Sequence, residues 1–188
     1  MIDPQSAERV AAVHALLRGR GETVATAESL TGGLVCAALT DVAGASDVVR
    51  GAVVAYATEL KSSLLAVDSE VLSQYGAVHP SVAEAMAVEV RSRCGADWGI
   101  ALTGVAGPGG SEAKPEGLVW FATATAAGSR AERRDFGPLG RAVVQHRVHR
   151  QALAEVGHEP LDPVGQDLIG DDVGHPVPSR RVGEVDEG

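Results

Sequence analysis

Thr23-Val24-Ala25-Thr26-Ala27-Glu28-Ser29-Leu30-Thr31-Gly32-Gly33 runs directly into Leu34-Val35-Cys36-Ala37-Ala38-Leu39. Thr23 to Thr26 reads as a short strand, and the run from Leu34 has helical composition, with the two glycines between them. A strand, a tight turn and a helix in succession are the unit from which layered α/β folds are assembled.

The rest of the chain repeats that alternation. Residues 5–19 place Val10, Val13, Leu16 and Leu17 at helical spacing before Gly19 and Gly21. The apolar run at 51–57 is expected to be a strand covered on both faces. Short helices follow at 59–66 and 68–75. Pro80 suits the first position of a helix striped by Ala83, Met86, Ala87 and Val90 and ended by Gly95. Residues 98–102 form a buried strand, 103–117 a Gly/Pro loop, and 118–125 and 131–136 two strands joined through Ala127-Gly128-Ser129. A helix over 139–156 closes the domain. The expectation is a three-layer α/β/α fold on a mostly parallel mixed sheet that includes an antiparallel hairpin.

With 188 residues, 45% of them hydrophobic, the chain can close one core of ordinary size. We place that domain at 1–157. Residues 155–188 hold nine acids against Arg180 and Arg181, out of a net charge of -9. With no sustained period there, 158–188 is expected to be an acidic, disordered tail. The acidic balance and an aromatic content of 3% disfavour nucleic-acid binding. Met1-Ile2-Asp3-Pro4-Gln5-Ser6 lacks the basic start and apolar stretch of a signal peptide, and no apolar run approaches the length of a membrane span. A cytoplasmic protein is expected. Cys36 and Cys94 read as small buried apolar residues. None of the histidines pairs at metal-ligand spacing, and His79 is expected to cap or lie on the surface.

Three segments invite chemistry. At the junction of strand and helix, the Ser29 hydroxyl falls at the carboxyl edge of the sheet, where open α/β folds bind ligands. The first-turn N–H groups of the following helix could hold an oxyanion or a phosphate, and Gly32 and Gly33 would let a ligand approach. Alternatively, Ser29 or Thr31 simply caps the helix. In Tyr56-Ala57-Thr58-Glu59-Leu60-Lys61, a lysine one helical turn beyond a strand can be desolvated, which lowers its pKa and makes it a base for a serine. The chain has 14 Arg but only Lys61 and Lys114 as lysines, and of the two residue types only Lys can release its proton at usable pH. Tyr56 would orient the lysine or pack on a flat substrate. Thr58 is a rival nucleophile, and an exposed Lys61 in a helix pair is the bland alternative. The third segment, Thr103 to Gly117, outlines a P-loop at Gly104 to Ser111, but Gly110 stands where the lysine is obligatory. Nucleoside triphosphate hydrolysis is not supported. The loop could still wrap a phosphate or ribose, with Lys114 on the phosphate or anchoring the loop, or it merely connects.

Thr26-Ala27-Glu28-Ser29-Leu30-Thr31-Gly32-Gly33, Tyr56 through Lys61, Gly76-Ala77-Val78, Thr103 through Gly110 and Lys114-Pro115-Glu116-Gly117 together resemble the C-terminal amidohydrolase domain of the CinA family. That domain is also found alone as the PncC-type nicotinamide-nucleotide amidase. The likeness covers roughly residues 5–156. It implies conversion of nicotinamide mononucleotide to nicotinate mononucleotide and ammonia in pyridine-nucleotide salvage, without metal or cofactor. It places Ser29 as nucleophile, Lys61 as base and Tyr56 beside them, with Thr31, Gly32, Gly33, Thr103, Gly104 and Arg141 toward the substrate. The partners expected are the small-molecule substrate and further copies of the chain in a homo-oligomer, with no nucleic acid and no membrane. Two departures stand out. Phe136-Gly137-Pro138-Leu139-Gly140-Arg141 replaces the family's shorter Phe-x-Gly-Asp-Arg, and Thr58 stands for the usual Asn. A catalytically impaired nucleotide-binding module of the same fold is the alternative. The metal-dependent N-terminal domain of full CinA has no counterpart here, and no pyrophosphatase activity is expected.

Overall fold

The computed structural model describes residues 2–156. The expected boundary at 157 and the tail 158–188 lie outside them. Helices α1 (Pro4–Arg20), α2 (Leu34–Thr40), α3 (Thr58–Leu65), α4 (Ser69–Tyr75), α5 (Pro80–Cys94) and α6 (Arg141–Glu155) surround five strands. The strands are β1 (Val24–Glu28), β2 (Val49–Val54), β3 (Trp98–Gly104), β4 (Leu118–Thr125) and β5 (Gly128–Asp135). They form one sheet in the order β2-β1-β3-β4-β5. Both β2 and β3 pair parallel with β1, whereas β4 runs antiparallel to β3 and to β5. Only β4 therefore opposes the common direction, and the expected α/β fold with its hairpin is what forms.

The two faces of the sheet are chemically unequal. Alternate strand residues point to opposite faces, and Val24, Trp98, Ile100, Leu102, Val119 and Phe121 meet α1, α2 and α6 in one core. Their neighbours Ala25, Ala27, Ala101, Ala122 and Ala124 meet α5 on the other side, through Val82, Ala83, Met86, Ala87 and Val90. The fully buried strand residues beneath α5 are alanines, with Gly99 among them and Val53 and Trp120 packed at the margin, so the helix lies close to the strands. A Cβ at Gly99 would collide with the Ala87 carbonyl and come within 2.8 Å of Arg91 Cβ.

Three expectations change. The apolar run at 51–57 is not a strand fully covered on both faces: β2 spans Val49–Val54 at the sheet edge, none of its residues is fully buried, and Val54 is 40% exposed. The hairpin turns at Ala126-Ala127 rather than through Ala127-Gly128-Ser129, so that β5 begins at Gly128, three residues before the expected 131, and pairs fully along β4. Cys36 and Cys94 are free and only half-buried.

Candidate active site

The parallel strands β1 and β2 end level at Glu28 and Val54, and β3, whose Leu102 lies opposite Glu28, runs two residues further to Gly104. The chain leaves β1 toward β2 on one side and later enters β3 on the other, so a crevice opens at their carboxyl ends. A cavity of about 250 Å³ occupies it, walled by Ser29, Tyr56, Lys61, Thr103, the 104–112 loop and Arg141.

Ser29 and Lys61 meet at its floor. Lys61 Nζ lies 3.0 Å from Ser29 Oγ and donates to the Ala55 carbonyl at 2.8 Å. The lysine is only 1% exposed. Burial disfavours the ammonium and pushes its pKa below the ordinary 10.5, with Glu112 and Glu59 pulling the other way. A neutral Lys61 has one lone pair and two N–H bonds. With one N–H on Ala55, the lone pair is available to the serine hydroxyl. The solvent-exposed lysine of the bland alternative is not what forms. Thr58 lines the cavity, but the hydroxyl bonded to Lys61 is that of Ser29.

A second buried charge shapes the turn. Glu28 follows Val24 and Thr26 on one face of β1, beneath the start of α2. Its carboxylate accepts from the N–H groups of Gly33 (3.0 Å), Val35 (3.1 Å) and Cys36 (2.8 Å), and from the Thr26 hydroxyl at 3.2 Å. These are donors that α2 leaves without helical partners. The expectation that they serve a substrate oxyanion or phosphate is therefore corrected, because Glu28 already occupies them. Gly32 (φ +62) and Gly33 (φ +103) adopt left-handed backbone, which lets the chain fold back over that carboxylate. Neither glycine lines the cavity, and neither does Thr31, whose buried hydroxyl has no hydrogen-bond partner. Ser29 itself caps nothing, since the N-cap of α2 is Gly33.

The rim is pinned by Thr103, expected toward the substrate, and by Glu112 and Glu116, which sequence reading passed over. Thr103 Oγ1 donates to the Ala77 carbonyl at 2.7 Å, and Glu112 accepts from the Ala77 N–H at 2.8 Å. Glu116 accepts from Gly109 N–H at 2.7 Å and from Gly140 N–H at 2.8 Å, joining the glycine loop to the start of α6. Through that join Arg141 reaches the cavity, and its guanidinium donates to the Tyr56 hydroxyl at 3.0 Å. Tyr56 thus engages Arg141 at the mouth, and the Ala55 carbonyl is the group that orients Lys61. Gly104 lines the cavity, and a Cβ there would strike the β4 backbone at 2.6 Å. Lys114 does not line it. Its backbone exchanges two hydrogen bonds with Ser111, which anchors the loop. His79 caps α5, accepting from Ser81 N–H at 3.3 Å. Acidic signals were readable at Glu28, Glu112 and Glu116, but nothing in their spacing says which amides they reach.

The histidines also depart from the sequence reading. His146 and His149 lie one helical turn apart on α6 and are joined by Asp3, with one ligand atom from each within 4.8 Å of the others. No spacing rule along the chain pairs them with residue 3.

Comparison with known proteins agrees with this architecture. The CinA C-terminal domain family matches residues 6–159. A CinA-like protein of Synechococcus sp. (strain RCC307) is 55% identical over 120 residues, covering 63% of this chain and 29% of that protein. One from Prochlorococcus marinus (strain MIT 9313) is 52% identical over 149 residues, covering 78% of this chain and 35% of that protein. The chain therefore spans about a third of the length of such relatives. The crystal structure of the competence/damage inducible protein CihA from Agrobacterium tumefaciens superposes with a TM-score of 0.78 at 36% identity, over 82% of this chain and 94% of that one. A CinA superfamily protein from Klebsiella pneumoniae gives 0.78 at 33% identity, over 81% and 95%. With the family matched across the described fold and relatives at such identity, the chain belongs to the CinA C-terminal domain family.

Proposed function

We propose that this cavity hydrolyses the carboxamide of nicotinamide mononucleotide, releasing nicotinate mononucleotide and ammonia. The observation that carries the reading is the contact of a buried lysine with a serine hydroxyl at the base of the crevice, at 3.0 Å. Ser29 Oγ attacks the carboxamide carbon as Lys61 Nζ takes its proton. The oxyanion formed needs a donor close to the nucleophile. With the α2 amides taken by Glu28, the N–H of cavity-lining Leu30, next in the chain after Ser29, is the one assigned here. Collapse breaks the C–N bond, and the Lys61 ammonium returns its proton to the departing ammonia. Water, deprotonated by the same amine, then cleaves the acyl ester and regenerates Ser29. Arg141 at the mouth suits the substrate phosphate, and the Tyr56 ring suits the flat pyridine.

In this reading the protein serves pyridine-nucleotide salvage in the cytoplasm and needs neither metal nor cofactor for the reaction. Among the described residues no helix is long and apolar enough to cross a membrane. A homo-oligomer accords with the unpaired edge of β2. Ammonia release from nicotinamide mononucleotide tests the proposal. The expected outcome is turnover in the wild type, with kcat falling by about 10³-fold or more in Ser29→Ala and Lys61→Arg. Binding without turnover in the wild type would overturn it in favour of a nucleotide-binding module.

A further inference from the structure

A second cavity of about 470 Å³, which shares no lining residue with the amidase cavity, opens between α2, α6 and the residues before α1. Asp3, Asp41, His146 and His149 line it, together with apolar Leu34 and Ala38. The two histidines are three residues apart, a spacing that puts side chains on one face of a helix. Their ring centroids are 4.8 Å apart. Asp3 arrives from the opposite end of the described chain, and its Oδ2 lies 4.0 Å from His146 Nε2. That distance is long for a hydrogen-bonded ion pair. Two imidazoles and a carboxylate facing one point are the donor set of an open zinc site.

We propose that Asp3, His146 and His149 bind one divalent transition-metal ion, of which zinc is the best match, at a site separate from Ser29 and Lys61. Zinc takes nitrogen and oxygen ligands at about 2.0–2.2 Å in tetrahedral arrays, which sets its ligand atoms roughly 3.4 Å apart. The three groups here must close from separations of up to 4.8 Å. Side-chain rotation at His146, 53% exposed, supplies that movement. The other two ligands are already oriented. Ser6 donates to Asp3 from its N–H at 3.0 Å and from its hydroxyl at 2.6 Å. The His149 ring is only 6% exposed and packs edge-on against that of His146, which holds it in the cavity wall. Water completes the coordination, since the Asp41 carboxylate on the same wall already accepts from the Ile2 N–H at 2.8 Å. Arg150 is the nearby positive charge that opposes a cation; its guanidinium is held by Gln5. Bound metal would clamp the start of α1 to α6, the helix that begins with Arg141.

The test uses the full chain, stripped with a chelator and desalted, then titrated with ZnCl2 in competition with a chromophoric chelator. Thermal unfolding is followed in parallel. One zinc per chain is expected, with affinity at least tenfold weaker in His146→Ala and in Asp3→Asn. The asparagine keeps an oxygen to cap α1, and residue 146 is half-exposed, so both variants should fold. Zinc should raise the wild-type unfolding midpoint and leave that of each variant unmoved. Failure of the wild type to take up stoichiometric zinc overturns the proposal. So does undiminished uptake by both variants, which would place the metal on the free cysteines or elsewhere. No outcome depends on amide hydrolysis.

Discussion

Lys61 and Glu28 are both buried ionisable residues, and their tasks are opposite. Glu28 meets three backbone N–H groups and a hydroxyl, so its charge is fully used in holding the 29–33 turn. Replacing it with Gln turns an amide NH2 toward those donors and leaves some unsatisfied. Glu28→Gln is expected to cost about 1–3 kcal/mol, read from urea unfolding, and to lower kcat as Ser29 loses its fixed position. Lys61 meets one carbonyl and one hydroxyl, which is too little to favour its ammonium. Because the neutral amine is the active base and burial lowers its pKa, kcat/KM should rise with pH and level off at an apparent pKa below 10.5. Glu112 stabilises the ammonium, so Glu112→Gln removes that stabilisation and should move this limb to lower pH. A limb that stays put or rises would count against Lys61 as the base.

At the scale of elements, the spacing of α5 from the sheet controls where the strand ends lie. Alanines on β1, β3 and β4 and the bare Gly99 let the helix approach closely, and β3 carries Thr103 at its far end. Gly99→Ala pushes a methyl group into the Ala87 carbonyl, and β3 and α5 must separate to admit it. We expect a loss of about 1–3 kcal/mol in chemical denaturation, the usual range for overpacking. Helix limits were readable from local chemistry, because Pro80 starts α5 and Gly21 and Gly95 take the left-handed C-cap conformation. Strand placement was not. An apolar run such as 51–57 looks the same whether it lies at the centre or the edge of a sheet, because the strand order decides how many neighbours cover it.

For the molecule as a whole, acid lability is built into the core beneath α1. His14 is fully buried with no hydrogen-bond partner on either ring nitrogen among the described residues, and burial, with Arg18 beside it, holds its pKa below 6.5. The folded state keeps the ring neutral while the unfolded chain takes up a proton. Its stability is thus complete above pH 6.5 and is lost as pH falls below that value. Thermal unfolding should show the midpoint falling from pH 7.5 to 5.5, with a smaller fall in His14→Leu.

The sequence by itself determined the alternation of strands and helices, the ends of α1 and α5, the family, and Ser29 and Lys61 as the residues to watch. Each of these is carried by neighbours in the chain or by a motif that survives as a string. Only the tertiary structure decided that Glu28 fills the α2 amides, that Ala55 aims the lysine, and that Arg141 meets Tyr56 across 85 residues of sequence. It alone set Asp3 beside His146 and His149. Such contacts depend on which strand ends and helix faces converge, and convergence is a property of the closed sheet with its packed helices that no local spacing encodes.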